Sequence, residues 1–150
     1  MRTFASLDEL AAAVGETIGP GDWQRIDQSR VDLFADATDD HQWIHVDPQR
    51  AAAGPFGGTV AHGYLTLSLL PALAGGLYRV QGVRMGVNYG LNRVRFPAPV
   101  RVGSAIRASA TIAEVSPVDG GVQLVAAVTV ESDAGGKPVC VAETVSRLYA

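Results

Sequence analysis

The 150-residue chain has one cysteine, Cys140, and a single thiol closes no internal disulfide. Cys140 lies in the apolar run Val139 to Ala142, where burial is expected to leave it inert and structural. Positive charge is in short supply: twelve Lys and Arg stand against fifteen Asp and Glu, for a net charge of −3. That balance argues against a broad footprint for nucleic acid. Arg79, Arg84, Arg93, Arg95, Arg101 and Arg107 fall in one region all the same, as solvated strand faces or as a local patch for an anionic ligand. No apolar run is long enough to span a bilayer, and no basic start leads into an apolar signal core. A cytoplasmic chain with no membrane contact is expected. There are only three histidines, and all lie between Thr38 and Gly63.

Apolar residues, by contrast, make up 47% of the chain, enough for one well-buried core, so residues 1–150 read as a single domain. Ser6 and Glu9 fit a capping box opening a short helix to Gly15. Trp23 to Ile26 reads as a strand, and Asp27 or Ser29 opens a second helix with Val31, Phe34, Ala35 and Thr38 on its inner face. Asp47-Pro48 starts another helical turn. From about Thr59 to Leu73 the pattern is a helix apolar nearly all round, kinked or ended at Pro71. The period then changes. Val83 to Tyr89, Leu91 to Phe96, Ser104 to Val115, Val122 to Ser132 and Val139 to Leu148 read as strands of an antiparallel meander. A helix with no polar face must be covered, and the following sheet is the available cover. The expected class is α+β, an antiparallel curved sheet wrapped around a central apolar helix. Its edges are expected to be hidden by pairing across a dimer axis.

The chemistry points to Thr38–Gly63. Acid/base work needs a carboxylate and an imidazole held together near a donor for developing charge. Asp40, His45 and the backbone at Gly63 supply those parts. Taken singly, Asp40 suits a helix-ending turn and His45 a satisfied core histidine. His41 and His45 are four apart, but the metalloprotease pattern needs Glu where Gln42 stands, so no metal is expected. His62 reads as a packing or helix-start residue. Tyr64, Ser68, Asn88 and Asn92 are secondary candidates for lining a tunnel.

Thr38-Asp39-Asp40-His41-Gln42-Trp43-Ile44-His45 resembles the hydratase motif of the MaoC-like, (R)-specific enoyl-CoA hydratases, with Gln42 and Trp43 in the family's Asn and Pro places. Gly57-Gly58-Thr59-Val60-Ala61-His62-Gly63 resembles the start of their central helix, and Arg95 to Gly103 the strand-turn segment beyond it. Gln-Trp before Ile-His looks most like the NodN-like branch. The resemblance implies a hot-dog fold, a homodimer and no metal or redox cofactor. It maps the catalytic pair onto Asp40 and His45. Val60, Ala61, His62 and Gly63, with Asn88 and Asn92, become the expected oxyanion and substrate-binding set. The implied reaction adds water to a trans-2-enoyl thioester of coenzyme A, giving the (R)-3-hydroxyacyl thioester. A thioesterase on the same fold, or a non-catalytic acyl-thioester binder, stays open beside it.

Overall fold

A computed structural model describes residues 1–150. The chain runs β1 (Arg2–Phe4), α1 (Leu7–Ala12), β2 (Thr17–Ile18), β3 (Gln24–Arg25), α2 (Gln28–Thr38), α3 (Trp43–Val46) and α4 (Pro48–Ala52). Then come α5 (Gly63–Ser68), α6 (Leu70–Gly75), β4 (Tyr78–Val80), β5 (Met85–Arg95), β6 (Ala105–Val118), β7 (Gly121–Ser132) and β8 (Cys140–Tyr149). The helix starts obey local capping chemistry. Ser6 accepts from Glu9 N–H, and Glu9 in turn accepts from Ala5 N–H rather than from Ser6. Asp27 caps α2 through Arg30 N–H, and Asp47 caps α4 through Arg50 N–H.

The main sheet has the order β2-β6-β7-β8-β5, with β3 also on β6; a separate parallel pair joins β1 to β4. The expected meander holds for β6, β7 and β8 only. β5 pairs with β8 at the far end, so the strand that leads the series lies at the sheet's edge. The two strands expected over residues 83–96 are one strand, β5, with register shifts at Asn88/Gly90 and Leu91/Arg93. These are β-bulges, which let a strand bend without ending. β1, β2 and β4 carry too few residues for a periodic signal.

The central helix differs from expectation at both its start and its exposure. Thr59 to Ala61 is extended, because its amides are taken elsewhere: Val60 N–H donates to Ile44 O and Ala61 N–H to Val100 O. The helix begins at Gly63 and breaks at Leu69, where Pro71 has no N–H to give to Leu67 O. It is also not sheathed all round, since Tyr64 is 70% exposed. Its buried face, Leu65, Leu70 and Leu73, joins Ile106, Ala108, Ala110, Ile112, Leu124, Ala126 and Val128 in one cluster. Large and small inward residues face each other across the strands, as in Ile112↔Ala126 and Ala110↔Val128. This alternation lets the sheet curve around the helix. The architecture is the α+β hot dog. No helix is long and apolar enough to cross a membrane.

Ile112 is fully buried in that cluster, whereas Leu33 on α2 is 69% exposed. Ile112→Ala is expected to destabilise the fold by about 2–5 kcal/mol. Leu33→Ala should stay within about 0.5 kcal/mol of the parent in the same urea titrations.

Candidate active site

Asp39 ends α2 in a left-handed conformation (φ 59°), which a short polar side chain tolerates. The chain reverses there and re-enters the core as α3. Trp43 anchors this turn. Its indole lies so close to Gly54 that a Cβ there would sit 2.9 Å from the ring, and the Arg50 guanidinium stacks 4.5 Å from the ring centroid. A side chain in the family's Pro place thus wedges α3 against the Gly54 turn.

His45 is buried, and its Nδ1 lies 2.6 Å from Val60 O. A carbonyl only accepts, so Nδ1 carries the hydrogen and Nε2 keeps the lone pair. Val60 N–H returns a bond to Ile44 O at 3.0 Å. Gln28 closes the seam, its Nε2 donating to His45 O and its Oε1 accepting from the Thr59 hydroxyl, both at 2.7 Å. Burial pushes the His45 pKa below its ordinary 6.5; the Val60 bond opposes this, His62 adds a downward push and Asp40 an upward one.

His62 is 2% exposed and stacks on His45, with ring centroids 3.8 Å apart and planes 24° apart. Its Nε2 donates to the Asp40 carbonyl at 2.9 Å. The Asp40 carboxylate is half exposed. It accepts from Gln42 N–H at 3.4 Å and approaches His62 Nε2 at 3.9 Å. Asp40, His45 and His62 therefore offer donor atoms within 4.8 Å of one another. Two nearly parallel stacked rings cannot both aim an in-plane lone pair at an ion held at about 2.0–2.1 Å, so the cluster suits proton chemistry better than a metal. His41 points elsewhere, paired with Asp36 at 2.9 Å, a bond that raises its pKa.

A cavity of about 320 Å³ opens beside His45, lined also by Val60, Ala61, Gly63, Thr66 and Phe96. His62 Nδ1 is the one sealed-off side-chain polar atom without a partner. His45 Nε2 likewise has no hydrogen-bond partner in the chain. The Gly63 N–H, first in α5, donates to no acceptor of the chain. A Cβ on Gly63 would lie 2.8 Å from the Phe96 ring, so any side chain there would have to push the ring aside. Thr66, not singled out from the sequence, is 2% exposed and sits one turn into α5 on the same cavity. Its offset of three from Gly63 was the available signal.

Asn88 and Asn92 are not brought to this cavity. Asn88 lines a separate groove of about 770 Å³ between α5–α6 and the β5–β8 strands, together with Ser68. Asn92 donates to Glu143 at 2.7 Å. Tyr64 stands edge-on to Phe96. Three of the six arginines are engaged by distant parts of the chain. Arg107 pairs with Glu131, Arg84 donates to Ala150 O, and Arg101 holds Gly57 O near the cavity rim.

A hot-dog sheet around a central helix, with an Asp/His pair held beside the start of that helix, defines a class. The chain belongs to the MaoC like domain family, whose model matches residues 9–134. It is 57% identical over 151 residues to 3-hydroxyacyl-thioester dehydratase Z of Mycobacterium tuberculosis (strain ATCC 25618 / H37Rv), covering all of both chains. It is 43% identical to Nodulation protein N of Rhizobium meliloti (strain 1021), covering 94% of this chain and 89% of that one. Among solved structures, the unliganded R-hydratase PhaJ1 from Pseudomonas aeruginosa superposes with a TM-score of 0.74 at 25% identity, covering 97% of this chain and 86% of that one.

The contact between Gly63 and Phe96 is testable by a double-mutant cycle. Gly63→Ala is expected to destabilise by about 1–3 kcal/mol through overpacking. Adding Phe96→Ala should return part of that loss, a coupling of about 0.5 kcal/mol or more in thermal or urea unfolding. Strict additivity would show that the two groups do not meet.

Proposed function

We propose that this protein adds water reversibly across the double bond of a trans-2-enoyl-CoA, giving the (R)-3-hydroxyacyl-CoA. The dehydratase and R-hydratase names of its relatives support this reading. The observation that carries it is His45, its Nδ1 tied to the Val60 carbonyl, lining a cavity with Gly63 while Asp40 offers a carboxylate within 4.8 Å of it.

Asp40 and His45 Nε2 grip one water between them. His45 draws a proton from it as the water oxygen bonds to C3. The C2=C3 electron pair shifts toward the thioester carbonyl, and negative charge builds on its oxygen. The Gly63 N–H donates to that oxygen. The proton then passes to C2, so the hydrogen and hydroxyl both come from one water. The reverse sequence expels water from the 3-hydroxy thioester. Val60 and Ala61 shape the cavity wall, and the Val60 carbonyl fixes the base's tautomer. The reaction is redox-neutral, and its charge is met by these groups.

The reading treats residues 1–150 as one such domain and places it in the cytoplasm. The only thiol, Cys140, is buried with its pKa pushed up to about 11, so it needs no oxidising compartment. It also includes a homodimer. β5 ends the sheet with an unpaired edge, and Met85, Val87, Tyr89 and Leu91 on it are 39–57% exposed. A second copy covers that apolar edge and the groove beside it.

Turnover of crotonyl-CoA, followed as loss of the enoyl-thioester absorbance with the product's chirality checked, tests the reading. Asp40→Asn and His45→Gln are each expected to lower kcat by about 10²–10⁴-fold while the fold persists. Release of free coenzyme A instead would mark a thioesterase. The pH profile adds a second check. A base whose pKa is depressed stays neutral, and hence active, further into acid. The acid limb of kcat/KM is therefore expected to have its midpoint below the ordinary 6.5 of histidine. A midpoint at or above that value would remove His45 as the base.

A further inference from the structure

His62 takes no part in the steps above, yet it touches both groups that do. Its Nε2–H holds the Asp40 carbonyl at 2.9 Å and its ring face lies 3.8 Å from that of His45. We propose that His62 is a positioning residue that sets the separation of Asp40 and His45 by gripping the backbone of one and the ring face of the other. The inference rests on the hydratase reading for its kinetic consequences, and on geometry alone for the positioning.

Asp40 needs such an anchor. It follows a left-handed residue, lies outside any helix or strand, and has its carboxylate half exposed with contacts of only 3.4 and 3.9 Å. Its bond to His62 through the carbonyl is the short one. His45 needs a second constraint as well. The Nδ1–H···O bond to Val60 holds one edge of the ring. A ring packed on its face limits tilting of the ring plane, which would swing Nε2 away.

The remaining nitrogen of His62 shows that the residue is not there for packing alone. Nδ1 is the chain's one sealed-off side-chain polar atom with no partner. An unsatisfied buried polar atom is unfavourable, and a phenyl ring of similar size would fill the same space without it. Phe34 already packs an aromatic ring against His62, with centroids 4.9 Å apart, so the surroundings suit an apolar ring. What phenylalanine lacks is the donor to Asp40.

Two variants separate these roles. His62→Phe keeps volume and stacking but loses the donor. His62→Gln keeps an amide donor near the Nε2 position but loses the ring. Against crotonyl-CoA, His62→Phe is expected to lower kcat by about 10- to 100-fold with KM little changed and thermal stability equal or higher. His62→Gln should recover part of the lost kcat despite a lower melting temperature. A His62→Phe enzyme within about threefold of the parent kcat would overturn the proposal. So would losses in both variants that simply track stability. Backbone amide NMR reads the positioning without turnover. In His62→Phe, shifts and broadening should centre on Asp40 to Gln42, and an unperturbed segment there would overturn the proposal whatever reaction the protein catalyses.

Discussion

The hydrogen bond from His45 Nδ1 to the Val60 carbonyl is the constraint on which the site depends. It joins the turn after α2 to the extended segment ahead of the central helix, and it is paired with the return bond from Val60 N–H to Ile44 O. One consequence is structural: Thr59 to Ala61 is drawn out of the helix it would otherwise extend. The other is chemical. A donated Nδ1–H leaves Nε2 bare, and burial then keeps the ring neutral. Gln28 reinforces the seam from α2, so three stretches of chain far apart in sequence meet at one imidazole.

The fold supplies what this seam needs. Ala61 N–H is tied to Val100 O, which ties the segment to the chain just ahead of β6. The helix starts directly beyond it, and Gly63 allows Phe96 to close against that start. The first amide of the helix is thereby left with no partner in the chain, on a residue that lines the small cavity. The sheet's alternating large and small inward residues let it wrap the α5–α6 pair. The start of that pair, Gly63 and Thr66, shapes the site, and residues from Leu67 to Gly75 line the larger groove under β5.

Much of this was legible in the sequence where the physics is local. Asp27 and Asp47 announced their helices because a cap acts within three residues. Ile106, Ala108, Ala110 and Ile112 announced their strand by alternation, and all four are buried. The Asp40/His45 pairing was legible from spacing and resemblance. What was misread is non-local. Val60 and Ala61 continue an apolar helical pattern, but partners at Ile44 and Val100 claim their amides. β5 looked like two strands in a meander because neither its bulges nor its pairing with β8 is written in its own residues. Asn88 and Asn92 were expected to line a tunnel; Asn88 lines the larger groove with Ser68, and Asn92 bonds to Glu143 across the β5–β8 pair. His62 read as a packing or helix-start residue and is both, buried, stacked and at the head of α5; its bond to the Asp40 carbonyl, 22 residues upstream, was not legible because the acceptor is backbone.

The most direct test of the account is the protonation pattern of His45 itself, read by nitrogen-15 NMR of the histidine-labelled protein at neutral pH. The account predicts a neutral ring with hydrogen on Nδ1 and a bare Nε2, assigned to His45 by its disappearance in His45→Gln. A ring protonated on Nε2, or on both nitrogens, would contradict it, because His45 would then have no lone pair with which to take a proton from water.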